Sequence, residues 1–298
     1  MHRKHLMLAL LVTALWGLNF PISKLALADM DPLLLTSLRF TLTALPWVFF
    51  VKRPAVAHRW LIAYGLIFGV AMWAAINLGI AMGVPAASAS LLIQVSAFFT
   101  IGWGVLLFGE RLTGPQRIGM LLAALGLTGI FIGSPGKATT LGLGLIMISA
   151  LAWSIGNIII KVSRVREIFA FVVWASLVPP LPLLALAWWL HGATSLDWPA
   201  AQMNATVLFS LMFQVYAATH FCYWGWNLLL REYPASKVAP LSLLIPIFGT
   251  LGSMVILDQT PSTTDWFAIG SILLALLIGL HKGRGRPTDH EIEAGVPR

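Results

Sequence analysis

Arg39, in the run LTSLRFTLTA, is a guanidinium set about six residues inside an apolar segment, and His220 is an imidazole about 15 residues inside another. A charge so placed is tolerated only when it is paired, hydrated or able to reach a polar surface. Arg39 is therefore a candidate for holding a substrate carboxylate, or for a structural role against carbonyls and helix ends. His220 titrates near neutrality in water and is the one imidazole placed to relay a proton; a packing histidine is the plainer alternative. Around these two stand groups that bind without reacting. Gln94 offers both donors and an acceptor, Trp16 and Trp153 offer ring faces to an ammonium, and Pro246 withdraws an N–H, which frees a carbonyl within its helix. Asn19, Asn77, Asn157, Tyr223 and Asn227 complete the candidate set. Each also has an ordinary role open to it, since a hydrogen bond between packed apolar helices contributes only about 0.6 kcal/mol on average.

The chemistry that is missing narrows the function. All 11 acidic residues fall outside the apolar segments or at their margins, so ion coupling through an embedded carboxylate is not expected. There is no G-x-S-x-G, no pair of embedded acids and no His/Asp metal spacing, so neither an enzyme nor a metal or cofactor site is expected. The single cysteine, Cys222, excludes an internal disulfide and any C-x-x-C site. A formal net charge of +8 could mean nucleic acid, but in a chain this apolar basic residues gather in cytoplasmic loops. A small-molecule ligand and a lipid bilayer are the expected partners; nucleic acid is not, and no feature of the sequence specifies an oligomeric state.

These groups must be held by membrane helices. Of the 298 residues 58% are hydrophobic and 10% charged, against about 25% charged in a soluble domain. Punctuation by Pro, Gly and charge predicts ten spans near 6–23, 33–51, 61–80, 86–108, 115–133, 141–160, 169–190, 205–230, 235–257 and 265–281. Helix is the only open structure that satisfies its own backbone in lipid. The N-terminal MHRKH and the apolar run after it lack a convincing cleavage site and read as a retained first span. With a cytoplasmic N-terminus, 16 of the 19 Lys and Arg residues fall on the inner side, the bias that orients membrane proteins. Both termini are predicted to be cytoplasmic, and residues 282–298 to be a disordered tail.

The chain also repeats itself. WGLNFPISK (16–24) has a counterpart in WSIGNIIIK (153–161), offset by 137, and 84–111 aligns with 233–260 at an offset of 149. The two repeats, 1–137 and 138–281, hold five predicted spans each. An odd number of crossings makes the second repeat enter from the opposite side. Inverted repeats of this kind are an arrangement of secondary transporters, with the ligand held between the halves. Gly65–Gly69, Gly79–Gly83 and Gly129–Gly133 have the spacing of close helix contacts.

WGLNF in the first span, LRF (38–40) in the second, GERLT (109–113) after the fourth and the helix containing Gly119 resemble the EamA family of the drug/metabolite transporter superfamily. The resemblance covers residues 6–281, and ASLLIQVSAFFT (89–100) with VAPLSLLIPIFG (238–249) is most similar to its bacterial O-acetylserine/cysteine exporter branch. It implies an all-α integral membrane protein of ten helices in two EamA repeats, exporting small amino-acid metabolites across the bacterial inner membrane by alternating access. A broader metabolite, drug or aromatic amino-acid exporter is the alternative. The chain departs from the family where Gln259 replaces an acidic residue and where Ala97 stands opposite Pro246, so the two gates are expected to bend unequally.

Overall fold

The computed structural model describes residues 1–109, 139–192, 203–233 and 238–280, with isolated positions between 114 and 125. Among the described residues every element is helical. α1 spans Arg3–Ala26, and α2 spans Pro32–Ala44 with a 3-10 turn at Trp47–Phe49. α3 covers His58–Ala81, α4 runs from Ala86 to Phe108, and α5 spans Thr140–Ser163. α6 is in two pieces, Ile168–Ala175 and Pro180–His191. α7 runs from Ala205 to Glu232, α8 from Ala239 to Leu257, and α9 spans Thr263–Leu280. Seven helices among the described residues are long and apolar enough to cross a membrane, which makes this a multi-pass membrane protein. The span expected at 115–133 lies mostly outside the described residues.

The sequence offsets reappear as helix boundaries. α1 (3–26) and α5 (140–163) are both 24 residues long, and both of their ends are shifted by 137. The second part of α4, Ser96–Phe108, and the second part of α8, Ile245–Leu257, are both 13 residues long and shifted by 149 at both ends. Each is preceded by a 3-10 segment and followed by a left-handed residue, Gly109 (φ 65°) in one and Asp258 (φ 51°) in the other. α3 and α7 each contain a π-helical stretch, Gly65–Ala74 and Phe213–Phe221. Widened turns of this kind are frequent at functional sites.

The repeats are not identical. The 3-10 segment is Ile93–Val95 in α4 but Ala239–Leu244 in α8, where Pro240 and Pro246 cannot donate backbone bonds. α1 and α8 touch backbone to backbone: a Cβ on Gly17 would stand 2.6 Å from the Ile245 carbonyl oxygen and 2.7 Å from the Gly249 nitrogen, while one on Gly249 would stand 2.7 Å from Ser90 Oγ of α4. Gly65 likewise faces the Ala175 carbonyl at the break in α6, with a Cβ distance of 2.6 Å. Large side chains such as Val255 (82% exposed), Phe49 (79%) and Trp189 (78%) form the outward face, as expected where lipid is the solvent.

Candidate functional site

Three helices are fixed in register by one buried asparagine. Asn77 on α3 accepts from Ser23 Oγ on α1 at 2.9 Å and donates to Thr36 Oγ1 on α2 at 2.9 Å. Thr36 passes the chain on to the Pro32 carbonyl. Both ends of the Asn77 amide are thus satisfied, and its position is that of a rivet between helices.

One helical turn further along each of those faces is a second layer. Side chains three or four apart share a helix face, so Asn19 lies below Ser23, Trp73 below Asn77, and Arg39, on the opposed helix α2, below Thr36. This layer is left unsatisfied. Arg39 is 3% exposed, and among the described residues its guanidinium meets no carboxylate. It stacks 3.7 Å from the centroid of the Trp73 ring and donates long hydrogen bonds to Gln214 Oε1 (3.4 Å) and Thr219 Oγ1 (3.3 Å). Trp73 Nε1 and both polar atoms of Asn19 are buried without a hydrogen-bond partner. Arg39 does not snorkel to a membrane surface; it is turned into the bundle.

The π segment of α7 is what holds Arg39 there. Thr219 Oγ1 donates to the Gln214 carbonyl five residues back, at 2.7 Å, while accepting from Arg39. Gln214 Nε2 donates to Ser210 Oγ (3.0 Å), which donates to the Ile22 carbonyl of α1 (2.8 Å). A chain of neutral dipoles from α1 through α7 thus orients the cation without neutralising it. Among the described residues the layer keeps one positive charge and an unpartnered donor, Trp73 Nε1–H, groups that by their chemistry suit an anion.

Of the residues singled out by sequence, Trp16 and Tyr223 join this region. Trp16 Nε1 donates to the Ala218 carbonyl at 2.9 Å, and its ring meets Tyr223 edge-on at 5.8 Å and Trp226 at 5.2 Å. Tyr223 also meets Phe68 at 6.3 Å. Asn227 is half-buried further along α7. Trp153 and Asn157 lie on α5, where Trp153 packs against the main core and Asn157 Nδ2 donates to Thr100 Oγ1 of α4 at 3.3 Å. Gln94 is half-buried on the 3-10 segment of α4.

His220 points elsewhere. Its Nε2 lies 3.1 Å from the Thr43 carbonyl, which requires the proton on that nitrogen, while Nδ1 has no partner. Trp47, Phe169 and Tyr216 surround the ring at 5.1, 5.7 and 5.7 Å. Pro246 differs from expectation. It occupies the first turn of Ile245–Leu257, where a missing N–H costs nothing. The carbonyl it was expected to free, that of Ser242, accepts the Ile245 N–H. Trp73, Gln214 and Thr219 were not singled out from sequence. The usable signal for Trp73 was its position four residues before Asn77, on the face that carries the polar group.

Paired helices with repeated boundaries, packed around a buried cation that meets no carboxylate among the described residues, define a multi-pass membrane protein. The chain belongs to the EamA-like transporter family, whose model matches it twice, over residues 3–132 and 140–280. It is 37% identical over 292 residues to a protein of Escherichia coli named "Probable amino-acid metabolite efflux pump", covering 96% of this chain and 98% of the relative. It is 29% identical over 168 residues to a "Probable terminal-alkyne amino-acid exporter" of Streptantibioticus cattleyicolor, covering 55% of this chain and 54% of that one. A crystal structure of a protein 17% identical superposes with a TM-score of 0.61 over 93% of this chain and 96% of that chain; that likeness concerns the fold. Membership in a family of transporters, not enzymes, agrees with the expectation from sequence that the chain is not an enzyme.

Proposed function

We propose that this protein exports small amino-acid metabolites, of the cysteine or O-acetylserine type, across the bacterial inner membrane. It has ten spans in two oppositely oriented halves, 1–137 and 138–281, with both termini cytoplasmic. The observation that carries the reading is Arg39, a buried guanidinium held by neutral groups and stacked on Trp73. A buried charge without a counter-ion is costly, and a substrate carboxylate relieves that cost when it binds. In this reading the substrate site is formed by Arg39, Trp73, Trp16, Asn19 and Tyr223, with Gln94 and Asn227 flanking it. Alternating access follows from the repeat: α1 with α8, and α5 with α4, rock about the 3-10 segments, and the longer one in α8 makes that gate bend more. The reading is of facilitated export or exchange, since the carbonyl-bound His220 has no embedded carboxylate to pass a proton to.

The test is counterflow of labelled cysteine or O-acetylserine into proteoliposomes, with and without a pH gradient. Flux that is competed by small amino acids and lost in Arg39→Met supports the reading. Absence of flux from folded protein for every amino acid tried overturns it. Accumulation driven by the gradient and lost in His220→Ala would assign His220 a proton-relay role instead. A second reading, export of aromatic amino acids, is favoured by the ring cluster of Trp16, Tyr223, Trp226 and Phe68; competition by tryptophan stronger than by serine would select it.

A further inference from the structure

We propose that Asn19 is the specificity residue for the substrate's amino group, and that it confines transport to carboxylates bearing a free amine beside them. The inference rests on the exporter reading and extends it from the carboxylate to the second half of the ligand.

Two asparagines on neighbouring helices supply the contrast. Asn77 is 0% exposed and has both amide ends bonded. Asn19 is 1% exposed and has neither Oδ1 nor Nδ2 bonded. Leaving a buried donor or acceptor unmade costs roughly 1–3 kcal/mol, and no partner among the described residues offsets that cost for Asn19. Packing alone would be served better by leucine, which has nearly the same shape and nothing to satisfy.

The neighbours of Asn19 say which ligand it suits. Its layer holds the donors of Arg39 and the unpartnered Trp73 Nε1–H, all of which suit an anion. Asn19 Oδ1 is an unpartnered acceptor in that layer, and an ammonium must donate to an acceptor. The Trp16 ring, three residues away on the same face of α1, adds an attractive surface for a cation. A ligand with a carboxylate and an amine on adjacent positions matches this set, with Asn19 Nδ2 donating to the carboxylate and Oδ1 accepting from the amine. Arg39 gives the layer one positive charge and the residues described here add no negative one, so a ligand with a second, cationic side chain is repelled. The ligand class is therefore the α-amino acid with an unmodified amine and an uncharged side chain.

O-acetyl-L-serine and N-acetyl-L-serine test this directly. They are isomers with the same carboxylate and differ in whether the amine is free or acylated. In proteoliposomes of the full-length protein at mildly acidic pH, where acyl migration is slow, each is used to inhibit counterflow of labelled L-cysteine. O-acetyl-L-serine is expected to inhibit at least about tenfold more strongly, the equivalent of one charge-assisted hydrogen bond of about 1.4 kcal/mol. Asn19→Leu should bring that ratio near one while inhibition by both isomers remains dependent on Arg39. Asn19→Asp, of the same shape, should newly admit L-lysine as a competitor. Equal inhibition by the isomers in the unaltered protein overturns the proposal, as does a preserved ratio in Asn19→Leu. Where that variant does not fold, the unaltered ratio and the lysine response of Asn19→Asp decide. A complete lack of counterflow with any amino acid would instead overturn the exporter reading.

Discussion

The guanidinium of Arg39 on α2 lies over the indole ring of Trp73 on α3, with its central carbon 3.7 Å from the ring centroid. The contact sets the cation over the face of the indole, so the Nε1–H of Trp73, which lies in the ring plane, is not aimed at it. A planar cation on an aromatic plate is oriented without being neutralised. The charge is thus buried in the bundle while no described residue neutralises it.

The contact predicts a ranking of substitutions. Arg39→Lys keeps the charge but loses the planar fork and the stack, and should raise KM for the labelled amino acid roughly 10- to 100-fold, the worth of a charge-assisted hydrogen bond of about 1.5–3 kcal/mol. Trp73→Phe keeps a ring beneath the guanidinium and removes the Nε1–H, so its KM should rise by less than that of Arg39→Lys. Concentration-dependent counterflow measures both, and a Lys variant equal to the unaltered protein would mean that only net charge matters.

Asn77 should behave as a structural residue. Asn77→Leu removes the two bonds to Ser23 and Thr36 and is expected to cost about 1–2 kcal/mol of stability. A fluorescence-detected thermal melt in detergent should show a lowered Tm while KM stays within a few-fold. The reverse pattern, unchanged Tm with a large rise in KM, would move Asn77 into the binding site.

The α1–α8 crossing can be probed with one methyl group. Gly17→Ala places a Cβ about 2.6 Å from the Ile245 carbonyl oxygen, so the helices must separate, at roughly 1–3 kcal/mol. Gly102→Ala, where a Cβ meets nothing within 4 Å, should leave Tm unchanged or raise it through better helix propensity, by up to about 1 kcal/mol. Equal melting temperatures for the two variants would show that the crossing is looser than described.

A crosslink tests whether the first turns of α4 and α9 separate during transport. Ser88 Oγ donates to Asp265 Oδ1 at 3.0 Å, and the one native thiol, Cys222, is buried. In a Ser88→Cys, Asp265→Cys double variant, oxidation should abolish flux and reduction should restore it. Full flux through crosslinked protein would show that this contact stays shut throughout the cycle and that the gate lies elsewhere.

Much of the architecture was legible before any coordinates. Hydropathy and the punctuation by Pro, Gly and charge placed the membrane helices that are described, because apolar length is a local property. The offsets of 137 and 149 reappear at both ends of the paired helices. Arg39 was conspicuous for the same reason: a charge inside an apolar run is visible in one dimension.

What sequence by itself could not decide was which polar groups are satisfied. Asn19 and Asn77 are the same residue type at similar depth in neighbouring spans, yet one is a rivet and the other is unbonded, a difference fixed by Ser23 and Thr36 arriving from two other helices. Pro246 looked like a mid-helix break, and only the 3-10 path of residues 239–244 turned it into a helix start. Trp73 drew no notice in an aromatic-rich chain until α2 laid a guanidinium on its face. Hydrogen-bond satisfaction is a property of pairs, and the pairs here join residues far apart in the chain, so tertiary packing alone assigns them.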